Sequence, residues 1–120
     1  MPVDHFEATV RTEAGGVAVL DLLGDIDGQA EGALNGAYNQ AAESNASMVV
    51  LNFTETAYIN STGIALIVGL LGRARKERRR IAACGLSDHY REIFEVTRLA
   101  DFISIFPDEA TVLANETAGH

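Results

Sequence analysis

Apolar and polar positions alternate along HFEATVRTE (residues 5–13), the period-two signature of a strand. The Gly15-Gly16 pair breaks that pattern, and VAVLDLLG (17–24) follows as a more continuously apolar run. Two such runs around a glycine turn predict a hairpin. GDIDG (24–28) reads as a loop in which Asp27 caps the helix that follows. In QAEGALNGAYNQAAES (29–44), Ala30, Ala33, Leu34, Ala37 and Ala41 share one side of a helix. Gly32 and Gly36 weaken it by up to about 1 kcal/mol each relative to alanine. MVVLNF (48–53) is apolar almost throughout, as expected of a central strand.

The segment TETAYIN (54–60) is polar and predicts a loop, after which a helix runs from Ser61 to about Glu77. RIAACG (80–85) predicts a fourth strand. SDHYREIFEVTRL (87–99) predicts a third helix, with Ser87 or Asp88 near its start and Tyr90, Ile93, Phe94 and Val96 recurring as its apolar positions. FISIF (102–106) predicts a fifth strand. PDEATVLANE (107–116) predicts a last helix with Pro107 in its first turn, and TAGH (117–120) a mobile tail. After the opening hairpin, strands and helices alternate. That order predicts an α/β layer fold with right-handed crossovers onto a mostly parallel sheet.

The helix beginning at Ser61 has two different faces. At about 100° per residue, Ile64, Ile67, Val68, Leu71 and Ala74 fall together, widened by Leu66 and Leu70. This stripe is expected to pack on the sheet. The opposite face carries Ser61, Thr62, Ala65, Gly69, Gly72, Arg73 and Lys76. Its upper part is nearly bare of side chains, a smooth strip that another surface can approach closely.

A chain of 120 residues, about half of them hydrophobic, fits one domain with a real core, expected over about residues 6–114. No apolar run is long enough to span a bilayer, and the N-terminus lacks the pattern of a secretory signal. The lone cysteine, Cys84, lies in an apolar run, which fits a buried core position and a reducing cytoplasm. The net charge of -8 argues against nucleic acid as a partner. Charge is nevertheless uneven: RARKERRR (73–80) holds six of the nine basic residues and only one acid. Such a run complements a helix C-terminus, or docks a partner. No P-loop or dinucleotide-binding glycine motif is present, and His5, His89 and His120 are too scattered to ligate a metal. No cofactor and no catalytic residue is expected.

The triplet Asn60-Ser61-Thr62 can cap the helix through its side-chain oxygens. The same place suits a phosphate, because free N–H groups and the positive end of the helix dipole stabilise an anion there. A phosphoserine would add about -1.5 to -2 charges without unfolding the helix.

GDIDGQAEGAL, MVVLNFTETAYINSTGIALIVGLLGRAR and IAACGLSDHYREIFEVTRLADFISIFPDEATVL together resemble the STAS domain of bacterial anti-sigma factor antagonists, over roughly Val17 to Leu113. The most specific element is the family's Asp-Ser-Ser/Thr-Gly-Leu/Ile, which reads Asn60-Ser61-Thr62-Gly63-Ile64 here. The family's Gly-Glu-Leu/Ile-Asp appears as Gly24-Asp25-Ile26-Asp27. Asn60 stands where that pattern has aspartate; it keeps the cap and drops a negative charge.

The resemblance implies a single layer of about four helices against a mixed, mostly parallel five-stranded sheet. It implies phosphorylation of Ser61 by a partner that is both anti-sigma factor and serine kinase, of the histidine-kinase-like ATPase class. The unphosphorylated chain would bind that partner and the phosphorylated chain would release it. A metal-dependent serine/threonine phosphatase would reset the switch. Asp27, Asn60, Thr62, Gly63, Ala65, Gly69 and Gly72 would contribute to partner binding. A cytoplasmic monomer or weak dimer is expected. The alternative is a STAS binding or assembly module, a stress-signalling scaffold or transport-complex subunit, that uses the same strip without phosphorylation.

Overall fold

A computed structural model describes residues 6–118. Five strands form one sheet in the order β1 (Glu7–Glu13), β2 (Val17–Leu23), β3 (Met48–Glu55), β4 (Arg80–Cys84) and β5 (Ser104–Phe106). The hairpin β1–β2 is antiparallel, with Val10 opposite Leu20, and the other pairings are parallel. The turn rests on Gly15 and Gly16, at φ 86° and 78°, a region costly for residues with a Cβ. Gly16's carbonyl accepts the Ser47 and Met48 N–H groups at 2.8 and 3.2 Å, tying the hairpin to the start of β3.

The helices are α1 (Glu31–Glu43), α2 (Ser61–Lys76), α3 (Asp88–Val96) and α4 (Glu109–Ala118). The first three cover one sheet face. There Leu20, Leu22, Leu51 and Phe53 meet Leu34 and Tyr38 of α1, Ile67 and Leu70 of α2, and Phe94 of α3. Phe53 and Phe94 pack edge to face, with ring centroids 6.1 Å apart. Each such fully buried large side chain is worth about 1.5–3 kcal/mol in removal from water.

The fourth helix departs from the expected single layer. Val17, Val19, Val50, Ala82 and Cys84 point to the other face of the sheet, and Val112 of α4 is buried against them. A sheet with two apolar faces needs cover on both. The last helix supplies it on this side, pinned by charge as well. Arg11 of β1 donates to Asp21 at 2.6 and 3.0 Å and to Glu109 of α4 at 2.6 and 3.0 Å. Asn52 donates to the same Asp21 at 2.8 Å, and the Cys84 thiol lies 3.6 Å from Asn52 Oδ1. Arg11 holds the Asp21 carboxyl below the usual aspartate range, and burial pushes the Cys84 thiol up to about 11.

Several expected boundaries move. β3 continues through Thr54 and Glu55, because after a register shift Leu23 still pairs with Glu55. The third helix stops at Val96, since Arg98 turns to φ 69° and opens a short 3-10 turn over Leu99–Asp101. Val96 is 69% exposed: α3 buries Tyr90 and Phe94, and two residues further on the chain has rotated off that stripe. Pro107 precedes α4 rather than opening it. Asp108 is the cap, accepting the Thr111 N–H at 2.8 Å, and the helix continues through Thr117 and Ala118. His5, Gly119 and His120 lie outside the described residues.

Candidate functional site

The β2–α1 and β3–α2 connections meet beside the carboxyl ends of the central strands. Ile26 and Ile59 form a parallel bridge between them. Ile26 donates its N–H to the Tyr58 carbonyl at 2.9 Å, and its own carbonyl accepts the Asn60 N–H at 3.1 Å. Tyr90 of α3 reaches the same place. Its buried hydroxyl accepts from the Ile59 N–H at 2.8 Å and donates to the Ile59 carbonyl at 3.2 Å. Two loops and a third helix thus fix the backbone immediately before α2.

Asn60 is the N-cap of α2, with extended backbone and Oδ1 accepting the Gly63 N–H at 2.8 Å. Because Asn60 carries the cap, Ser61 and Thr62 do not. Both are exposed in the first turn, and neither side chain has a hydrogen-bond partner among the described residues. Asp27 caps a 3-10 turn over Gly28–Ala30 instead, its Oδ1 accepting the Gln29 N–H at 2.9 Å. That turn abuts the first turn of α2: a Cβ on Gly28 would lie 3.5 Å from the Thr62 methyl. Asp27, Asn60, Ser61 and Thr62 therefore gather around one helix start.

Gly63 is different. It is buried, and a Cβ there would run into the Ile26 carbonyl. It belongs to the packing beneath the site, so its expected place on a contact surface is corrected. The smooth strip is real: Ala65, Gly69 and Gly72 are all exposed, and nothing lies within 4 Å of a Cβ built on either glycine.

Val68 departs from the helical phase of α2. Helical phase puts it in the buried stripe with Ile67, Leu71 and Ala74, yet it is 45% exposed and lies on the edge of the open strip. Ile64 and Leu66 are half-buried. Arg73 leaves the strip sideways, its guanidinium 4.3 Å from the Tyr38 ring centroid. The Tyr38 hydroxyl donates to Glu77 at 2.9 Å, and burial with that carboxylate raises its pKa to about 12.

Ile26, Ile59 and Tyr90 were not singled out from sequence as positioning residues. Tyr90 was legible only as an apolar recurrence, and its hydroxyl gave no sign of where it would bond. Among the described residues, no three His, Cys, Asp or Glu side chains are grouped to hold a metal ion. No described helix is long and apolar enough to cross a membrane.

The fold is a mixed five-stranded sheet with four helices, and an exposed hydroxyl pair heads its smooth-faced second helix. Residues 10–107 match the family described as Mlab, STAS domain, and the chain belongs to the STAS family. It is 36% identical over 55 residues to an anti-sigma-B factor antagonist of Listeria monocytogenes, an alignment covering 46% of this chain and 48% of that protein. The chain thus spans about half the length of the curated relatives it matches. Its fold superposes on an anti-sigma factor antagonist from Mycobacterium paratuberculosis with a TM-score of 0.80, at 18% identity over 95% of this chain and 96% of that one. It also superposes on the anti-sigma factor antagonist SpoIIAA in its unphosphorylated form, with a TM-score of 0.71 at 16% identity over 94% and 99% of the two chains.

Proposed function

We propose that this protein is an anti-sigma factor antagonist that works by partner swapping, with Ser61 as its phosphoacceptor. In this reading the unphosphorylated chain binds an anti-sigma factor that is also a serine kinase of the histidine-kinase-like ATPase class. That kinase transfers the γ-phosphoryl group of ATP to Ser61 Oγ, the hydroxyl proton passes to a base on the kinase, and ADP leaves. The phosphorylated chain lets go, and a metal-dependent phosphatase restores the hydroxyl by hydrolysis. The protein acts as a binding module rather than a catalyst, a cytoplasmic monomer or weak dimer.

One observation carries the reading: Asn60 takes the cap, so the Ser61 hydroxyl heads α2 exposed and unbonded. A phosphate added there meets the positive end of a 16-residue helix and leaves the core untouched. It adds charge in the helix turn that abuts the Asp27 loop through Thr62 and Gly28, so the surface a partner meets changes abruptly. Incubation with the cognate kinase and ATP, followed by mass spectrometry, tests the assignment. Phosphate on Ser61, lost in Ser61→Ala with partner binding kept, supports it. Phosphate on Thr62 alone, or elsewhere, overturns it.

A second reading is favoured by Asn60 itself, which brings no negative charge to the cap, and by the Mlab-type family match. In that reading the same strip docks a partner constitutively, in an assembly or transport complex. Stable partner binding with no phosphate on Ser61 in cells would select it.

A further inference from the structure

The far end of α2 carries a second feature, independent of Ser61. The chain has seventeen acidic and nine basic residues, so a basic side chain has acids to spare around it. The three arginines outside residues 73–80 all use them: Arg11 pairs with Asp21 and Glu109, Arg91 with Asp88 at 3.0 Å, and Arg98 with Asp101 at 2.8 Å. Within the cluster, Arg75, Lys76 and Arg78 pair with no carboxylate among the described residues. Among the described residues these three cations have no carboxylate partner, in a chain of net charge -8.

Arg75 lines a cavity of about 330 Å³ between the end of α2, the starts of β4 and β5, and the 3-10 turn before β5, and Lys76 and Arg78 follow it in the chain. Its floor is apolar, with Leu71, Ile81 and Ile103 in the lining. Its polar lining includes Arg75 and Arg79. Phe102 stands at the same cavity, 54% exposed, with the Arg75 guanidinium 5.4 Å from its ring centroid. The single carboxylate of the lining, Asp101, is held by Arg98. The volume is at the small end of the roughly 300–1,000 Å³ of ligand pockets, enough for an anchoring side chain rather than a whole segment.

We propose that this cavity docks an acidic, amphipathic segment of a partner protein, an apolar side chain entering between Leu71 and Ile103 while flanking carboxylates meet Arg75, Lys76 and Arg78. Charge complementarity selects the occupant. Arg75 at an apolar floor, with Lys76 and Arg78 next to it in the chain, favours carboxylates flanking an apolar anchor, and the acidic remainder of the chain repels an anionic membrane surface.

The test is an NMR titration of the full chain with three ten-residue peptides: one alternating Glu with Leu, one alternating Lys with Leu, and one all Glu. Binding of the Glu/Leu peptide should shift the amides of Arg75, Ile81 and residues 102–104 saturably. At those amides it should bind at least tenfold more tightly than either control. Arg75→Glu should weaken it at least fivefold, while Arg91→Glu, the same charge change elsewhere, should not. Thermal unfolding checks that both variants fold. Equal binding of the Lys/Leu or all-Glu peptide at these amides overturns the proposal. So does a Glu/Leu response centred on Ser61 and Ala65, or co-sedimentation with phosphatidylglycerol vesicles without saturable peptide binding. None of these readouts involves phosphorylation, so the proposal and the Ser61 switch stand or fall separately.

Discussion

The carbonyl oxygen of Ile26 occupies the space that a side chain on Gly63 would need. The same oxygen accepts the Asn60 N–H at 3.1 Å, so it cannot move aside without releasing the cap residue. Gly63→Ala should therefore destabilise the protein by about 1–3 kcal/mol, the range for forcing extra volume into packed structure. Urea unfolding measures this directly. Gly69→Ala on the open strip should do the opposite and stabilise by up to about 1 kcal/mol, since a glycine inside an exposed helix costs about that much. Equal effects at the two glycines would contradict the packing described.

Asn60→Asp keeps an oxygen in place for the Gly63 N–H and adds a negative charge at a helix N-terminus, where one is favourable. Stability should move by less than about 1 kcal/mol, whereas the rate of Ser61 phosphorylation should change. A larger stability change would reveal a role of the amide NH2 beyond the cap.

Tyr90 holds both backbone groups of Ile59 with one hydroxyl. Tyr90→Phe leaves a buried donor and acceptor without that partner, which should cost about 1–3 kcal/mol. The loss should also be local. Hydrogen exchange at the Ile59 amide should speed up far more than exchange in β3, and the phosphorylation rate should fall because Asn60 and Ser61 are less firmly placed. Uniformly faster exchange across the sheet would reduce Tyr90 to an ordinary core residue.

How much of this was legible beforehand varies with the physics of each element. Five strands and four helices followed from period and punctuation, and the start of α2 from its polar triplet. The placement of α4 was harder, because a ten-residue helix with two apolar anchors says little about which face it covers. A clue existed: Val17 and Val19 interleave with Ala18 and Leu20, so both faces of β2 had to be covered. Val68 lies at the border of the apolar stripe, where helical phase alone cannot separate rim from core. The Tyr90 and Ile26 contacts join segments distant in sequence, and no local pattern encodes them.

The charge network under α4 predicts an acid sensitivity. Arg11 and Asn52 hold the Asp21 carboxyl below its ordinary value. The unfolded chain then takes up its proton first as pH falls, so the contribution of Asp21 is complete above about pH 4 and is lost as pH drops through its lowered folded value. Urea midpoints between about pH 2.5 and 7 should show that decline. Asp21→Asn should flatten it and cost about 1 kcal/mol at neutral pH, the upper end for a partly exposed pair. An unchanged acid slope in Asp21→Asn would place the sensitivity in other carboxylates.

The open strip makes the most demanding prediction, because it asks for bulk that the fold ignores and a partner does not. Ala65 and Gly69 face solvent, with Val68 half out beside them. Ala65 is exposed and a Cβ on Gly69 meets nothing within 4 Å, so Ala65→Arg and Gly69→Gln should both unfold within about 0.5 kcal/mol of the parent once helix propensity is allowed for. A surface docked on the strip approaches the helix backbone closely and leaves no room for those side chains. Calorimetric titration with the proposed kinase partner should then show affinity falling at least tenfold, about 1.4 kcal/mol, in each variant. Val68→Ser should weaken binding as well, by removing an apolar contact without adding bulk. Retained affinity in all three, with the fold intact, would move the interface off α2. Cooperative loss of folding in Ala65→Arg would mean that the strip is covered in solution.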